Sequence, residues 1–136
     1  MDPTAAEFDI VGIGNALVDV LSHETDEVVS SLGVAKGSMT LVDEQRSAEI
    51  YAMTGPAVEI SGGSAANTIV GVAAMGGRAE YLGKVRDDQL GAVFAHDIRA
   101  TGVTYDVAPA PDGPATGACL ILVTPDAQRT MNTYLG

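Results

Sequence analysis

Asn15 and Asp19 stand four apart in the stretch Asn15-Ala16-Leu17-Val18-Asp19, just after the short apolar run Phe8–Ile13. In an extended segment side chains alternate with a period of two, so Asn15, Leu17 and Asp19 project to one side. An ionised carboxylate offers two acceptor oxygens and can hold both hydroxyls of a vicinal diol; an amide beside it adds a donor and an acceptor. That is chemistry suited to gripping a ribose or another sugar. The same two residues also read as an Asn and an Asp at a strand end closing a turn. Pattern alone leaves the two readings level.

A second constellation lies in EISGGSAANTIVGVAAMGG, residues 59–77, where a strand gives way to a helix. Gly62 and Gly63 have no β-carbon, so another molecule can approach the peptide groups there. Ser64 opens the helix and Asn67 sits in its first turn, near enough to reach past the helix end. Close packing of helix on sheet is the expected reason for Gly71, Gly76 and Gly77. For Gly62, Gly63 and Asn67, tight packing and ligand contact both remain open. The helix itself is apolar nearly all round, which predicts burial.

Other chemistries find less support. Gly12-Ile13-Gly14-Asn15-Ala16-Leu17 follows a strand, as a dinucleotide-binding loop does. Its sixth position is a leucine where a small residue must sit, and no convincing helix follows to aim its N-terminus at a pyrophosphate. A Walker A loop is absent. His23 and His96 match no ligand pattern, and His96 reads as a surface residue of a helix.

The chain that must position these residues has 136 residues, enough for one domain with a real core. Its hydrophobic content is 46% and its mean hydropathy +0.20, in the globular range. Tryptophan is absent and aromatics make up 4%, so the core is expected to be aliphatic and rich in alanine. The net charge of −11 comes from 7 basic and 18 acidic residues, and the only lysines are Lys36 and Lys84. Nucleic acid and anionic membrane surfaces are therefore not expected partners. The acidic start lacks the apolar run of a secretory signal. The longest aliphatic run, around Leu120–Val123, is far short of the roughly 20 residues a bilayer span needs. The lone Cys119 excludes an internal disulfide. These features predict a soluble, cytoplasmic protein.

Apolar periodicity predicts the order of elements. Strands are expected at Phe8–Ile13 (buried), Asn15–Val20, Ser38–Val42, Val58–Ile60 and Ala79–Val85. Helices are expected over Asp26–Leu32 (closed by Gly33), 43–53 (capped by Gly55), Ser64–Met75 and 87–102. In the last helix Leu90, Val93, Phe94 and Ile98 recur at helical spacing. After Thr104 the chain turns β-rich, with TGACLILV and TMNTYL flanking the turn TPDAQ as a hairpin. Alternating strands and helices predict a parallel sheet covered by helices, and the β-rich pieces a separate sheet or flap. The apolar end at Thr133-Tyr134-Leu135-Gly136 and the small number of alternating strands are expectations of a truncated chain.

DIVGIGNALVD, KGSMTLVDEQ, SGGSAANTIVGVAAMGGRAEYLGKV, DDQLG and PATGACLILVTPDAQRTM, in this order, resemble the first half of a ribokinase-like (PfkB family) carbohydrate kinase. Within that family the likeness is greatest to the adenosine kinase branch and its bacterial sugar-kinase relatives. The resemblance implies an α/β, Rossmann-like three-layer sheet with a small β-lid. Residues 1–136 would then be the N-terminal portion of one kinase domain, with lid strands near 15–20, 38–42 and 104–123. It implies ATP-dependent phosphorylation, with Mg2+, of a primary hydroxyl of a nucleoside or sugar. On this likeness Asp19 holds the sugar diol with Asn15 beside it, Gly62, Gly63 and Asn67 complete the hydroxyl contacts, and Ser64 supports the turn. Cys119 would lie near the nucleoside pocket, and Arg129 near the transferred phosphates.

The departure from the family pattern is its catalytic end. The family's general base follows a glycine-rich anion hole in a D-T-x-G-A-G-D motif. Here the related Gly117-Ala118 pair has no Asp after it. No catalytic residue is therefore assigned in this chain, which is expected to be inactive alone. The alternative is a non-catalytic sugar-binding module, or one that forms a homodimer through the lid.

Overall fold

The computed structural model describes residues 6–136. Seven strands and four helices follow one another as β1 (Ile10–Ile13), β2 (Leu17–His23), α1 (Asp26–Ser31), β3 (Met39–Leu41), α2 (Glu44–Met53), β4 (Ala57–Gly62), α3 (Ser64–Ala74), β5 (Ala79–Leu82), α4 (Gln89–Ala100), β6 (Gly117–Val123) and β7 (Arg129–Tyr134). They form two sheets. β1 and β5 pair in parallel, with Ile10 opposite Ala79 and Ile13 opposite Leu82. The other five strands form a mixed sheet in the order β3-β7-β6-β2-β4, in which β2 is parallel to β6 and antiparallel to β4.

Local chemistry sets the helix ends. Side chains of Thr25, Asp43 and Asp88 accept hydrogen bonds from first-turn amides of α1, α2 and α4, which satisfies donors that have no partner inside the helix. α4 buries Phe94 and Ile98 at the predicted spacing, and Gly102 ends it at φ +89°. Thr54 rather than Gly55 caps α2, in extended conformation.

The core joins the inner face of the five-stranded sheet to α2, α3, α4 and β5. Val18, Val20, Leu120 and Leu122 supply the sheet side, Ile50, Ile69, Phe94 and Ile98 the helix side. Few as they are, the aromatics concentrate here: Tyr81, Phe94 and Tyr105 form one cluster with ring centroids 5.4–6.3 Å apart, and all three are buried.

Three expectations are corrected. β1 was expected to be buried, yet Ile10, Val11 and Ile13 are exposed, because β1 pairs on one edge only and only its Gly12 side is covered, by Ile69 of α3. α3 is buried along one face, at Ala66 and Ile69, while Asn67, Thr68 and Met75 are exposed. The β-rich segment from Thr104 contributes strands only from Gly117 onward, as the hairpin β6–β7; before it, Thr104 and Ala110 make only single bridges to Glu80 and Arg86. Proline cannot donate to a ladder, and Pro109, Pro111 and Pro114 punctuate that stretch.

Candidate functional site

Residues on the outer face of the five-stranded sheet line up by register. Leu41, Thr133, Cys119, Asp19 and Ile60 form one row across β3, β7, β6, β2 and β4. Met39, Met131, Ile121, Leu21 and Val58 form the next. Strand alternation requires both rows to share a face, and β2 confirms it: Val18, Val20 and Ser22 are buried while Leu17, Asp19 and Leu21 are partly open. The outer face is thus apolar and accessible, with Met39, Leu41, Val58 and Ile60 exposed and one carboxylate in its middle.

That carboxylate is Asp19. A β-carbon on Gly62 would overlap it, so glycine is what lets the Asp19 side chain lie along the β4 backbone. Burial raises the Asp19 pKa above the usual carboxylate value. The Cys119 thiol on the facing strand is also pushed up, first by burial and further by the Asp19 charge, against a hydrogen bond from the Thr133 hydroxyl at 3.3 Å. Cys119 is a buried, protonated thiol beside a carboxylate rather than a nucleophile.

Gly63 follows at φ +99°, a conformation that favours glycine, and a β-carbon there would stand 3.1 Å from the Asn15 carbonyl oxygen. Gly63 caps α3 without a side-chain hydrogen bond, unlike the caps of the other three helices, and its carbonyl accepts from the Asn67 amide at 2.8 Å. The first amides of α3, at Ser64, Ala65 and Ala66, consequently point from an open helix end. Asn15, Asp19, Gly62, Gly63, Ser64 and Asn67 are thus gathered where β2 begins, β4 ends and α3 starts. Asn15 lies just before β2, outside the ladder that begins at Leu17, and it is exposed while Ala16 is buried, so the alternation of β2 extends back to it.

Arg129 is not gathered with them. It opens β7 on the same outer face, exposed, four positions from Thr133, or about 13 Å at roughly 3.3 Å per residue. Gly117 and Ala118 are buried in β6, so this pair forms no helix-start anion hole.

Beside Asn15 opens a cavity of about 420 Å3. It lies beyond the carboxyl ends of the parallel strands β1 and β5, where ligands of open α/β sheets sit. Gly14, Asn15, Gly83, Lys84, Arg86 and the terminal Leu135-Gly136 are among the residues lining it. Lys84 and Arg86 were not singled out in the sequence; their alternation just past a strand was the available signal. The segment is held by Asp88 and Thr116. The Asp88 carboxylate accepts from Thr116 N at 3.0 Å, Thr116 Oγ1 at 2.7 Å and Gly91 N at 2.8 Å, and Arg86 N donates to Thr116 Oγ1 at 2.9 Å. Burial pushes the Asp88 pKa up, but these bonds outweigh it and hold the carboxyl below its usual range.

A family model described as pfkB family carbohydrate kinase matches residues 37–136. Among curated proteins, fructokinase-1 of Oryza sativa subsp. japonica is 30% identical over 106 residues, which is 77% of this chain and 33% of that protein. Probable fructokinase-4 of Arabidopsis thaliana is 27% identical over 77 residues, 57% of this chain and 24% of its own length. Among solved structures, the adenosine kinase from Sinorhizobium meliloti is 50% identical with a TM-score of 0.83, covering 96% of this chain and 40% of that one. A probable sugar kinase from Rhizobium etli CFN 42 is 47% identical with a TM-score of 0.84, covering 97% and 40%. The adenosine kinase from Schistosoma mansoni, solved with adenosine, is 25% identical with a TM-score of 0.79, covering 96% and 39%. The chain spans about a quarter of the length of the first curated relative and 40% of the first solved structures.

Proposed function

The chain belongs to the pfkB family of carbohydrate kinases, and on that premise we propose that it carries the acceptor-binding half of a kinase. The reaction is phosphorylation by ATP of a primary hydroxyl on a nucleoside or sugar. The observation that carries this reading is the Asp19 carboxylate lying against Gly62, beside the open start of α3.

Asp19 accepts the two hydroxyls of a ribose-like diol, one on each oxygen. Gly62 and Gly63 leave peptide surface free for the ring, and Ser64, Asn67 and Asn15 supply further polar contacts. The outer face around Asp19 favours a nucleoside over a free sugar. Met39, Leu41, Val58 and Ile60 are exposed apolar surface that a heterocyclic base covers and a bare sugar does not. Cys119, uncharged and small, packs beside the ring. The five-stranded sheet is the lid in this reading, moving on the glycine-containing crossings at Gly14, Gly63, Gly117 and Gly136.

ATP supplies the phosphoryl group and Mg2+ its charge neutralisation when bound. Among the described residues no group of three or more His, Cys, Asp or Glu gathers as a metal-ligand set, so Mg2+ and the ATP adenine are assigned no residue here. The general base is likewise placed outside these 136 residues, so the chain binds acceptor without turning it over.

The test is calorimetric titration with adenosine, other nucleosides, ribose and fructose, joined by turnover assays with ATP on the complete kinase. Asp19→Ala removes charge-assisted bonds and lowers affinity and kcat/KM by about 10- to 100-fold. Wild-type binding and turnover in that variant sink the assignment. A second reading rests on one observation: β4 is an edge strand with Val58 and Ile60 exposed, a surface on which sheets pair. Light scattering showing a stoichiometric dimer that binds sugar and never consumes ATP favours that reading.

A further inference from the structure

In a chain of net charge −11, cations are scarce and most are already engaged. Lys36 pairs with Asp26 and Asp126, Arg46 with Glu49, and Arg78 with Asp9. Arg99 donates to the Tyr105 carbonyl and lies over its ring. Among the described residues the side chains of Lys84, Arg86 and Arg129 make neither an ion pair nor a hydrogen bond, and two of these three, Lys84 and Arg86, line the cavity of about 420 Å3.

One carboxylate whose charge state Arg86 influences is Asp88. Asp88 is already committed to the amides of Gly91 and Thr116 and to the Thr116 hydroxyl, with no nitrogen of Arg86 within ion-pair distance. The Lys84 ammonium lies 3.8 Å from where a β-carbon on Gly113 would stand, and the next two residues, Pro114 and Ala115, line the same cavity. The Arg86 backbone is pinned by Thr116 and by its bridge to Ala110, so its guanidinium departs from a fixed point. Asn15 lines the cavity on its other side, and its carbonyl abuts Gly63 of the acceptor site.

We infer that Lys84 and Arg86 form a phosphate-binding subsite in this cavity, across Asn15 from the acceptor-gripping residues, and that its ligand is a phosphate group carried by a small molecule. The inference rests on the kinase reading for the origin of that phosphate, either the phosphorylated acceptor or the nucleoside triphosphate. A guanidinium presents a planar fork to phosphate oxygens and an ammonium a compact point charge, so the two together suit a dianion. The volume of about 420 Å3 is that of a small-molecule site. This assignment differs from the one the family resemblance implies, in which Arg129 faces the phosphates: Arg129 stands about 13 Å up the sheet from the row of Asp19.

The experiment titrates the protein with adenosine, adenosine 5′-monophosphate, ATP and inorganic phosphate, followed by calorimetry and phosphorus NMR line broadening. Wild type is compared with Lys84→Met, Arg86→Met and Arg129→Met, each checked by thermal unfolding. Lys84→Met and Arg86→Met each weaken the phosphate-bearing ligands about tenfold or more, flatten the salt dependence of that phosphate binding, and leave adenosine affinity within twofold. A loss confined to the monophosphate assigns the subsite to the phosphorylated acceptor; a loss confined to ATP assigns it to the donor. If Arg129→Met alone weakens the phosphates, or no cation variant does while adenosine still binds, the subsite is overturned and the acceptor site stands. Failure of wild type to bind adenosine or any phosphate overturns both.

Discussion

Asp19 and Cys119 stand directly opposite each other on the parallel strands β2 and β6, on the outer face of the five-stranded sheet. One partly buried carboxylate therefore sits in an otherwise apolar surface, held in place by the bare backbone of Gly62. A lone carboxylate in such a position costs stability when ionised, and a ligand that donates hydrogen bonds to it recovers that cost.

The stability of the unliganded protein follows from that cost. Burial raises the folded pKa of Asp19 above its unfolded value, so the folded state holds this proton more tightly. Its contribution to stability is complete below the unfolded pKa and is lost as pH rises through the folded one. Asp19→Asn, neutral throughout, accordingly melts at higher temperature than wild type near pH 7, and the gap narrows on acidification. Thermal melts across that range check this; an equal or lower Tm at neutral pH contradicts it.

Gly62→Ala tests the contact itself. The added methyl overlaps the Asp19 carboxylate, so the variant loses about 1–3 kcal/mol from overpacking or turns the side chain away. Acceptor affinity falls about tenfold even though Asp19 is intact. Gly71→Ala is the control: its methyl meets open space inside α3, and the variant gains roughly 0.5–1 kcal/mol. Denaturant unfolding with calorimetry separates the two.

Thr116→Val removes a hydroxyl that donates to Asp88 and accepts from Arg86 N. A partly buried amide is left without its acceptor, at a cost of about 1–3 kcal/mol. The loop that carries Lys84 and Arg86 loosens, which hydrogen exchange at Val85 and Arg86 reads directly. Unchanged exchange there contradicts the pinning role.

Phe94→Ala opens the centre of the Tyr81–Phe94–Tyr105 cluster and costs about 3–5 kcal/mol in chemical denaturation. A cost below 1 kcal/mol places the core elsewhere.

Much of this was legible along the chain. The helical spacing of Leu90, Val93, Phe94 and Ile98 marks α4, and the turn before Arg129 marks the β6–β7 hairpin, because both signals are local. The gathering of Gly62, Gly63 and Asn67 at a strand-to-helix junction is local too. The exposure of β1 depends on what lies beside it, which apolar content does not reveal. Likewise the pairing of β2 with β6, a hundred positions away in sequence, places Asp19 opposite Cys119 and carries no local mark. Lys84 and Arg86 went unremarked because exposed charges after a strand are ordinary; only the cavity and their lack of partners distinguish them.

The most direct measurement compares dissociation constants for adenosine and its 2′,3′-dideoxy analogue against wild type and Asp19→Asn. The account predicts that wild type loses at least about tenfold affinity when the diol is removed, and that the variant binds both ligands equally weakly. Discrimination that is as strong in Asp19→Asn as in wild type contradicts it.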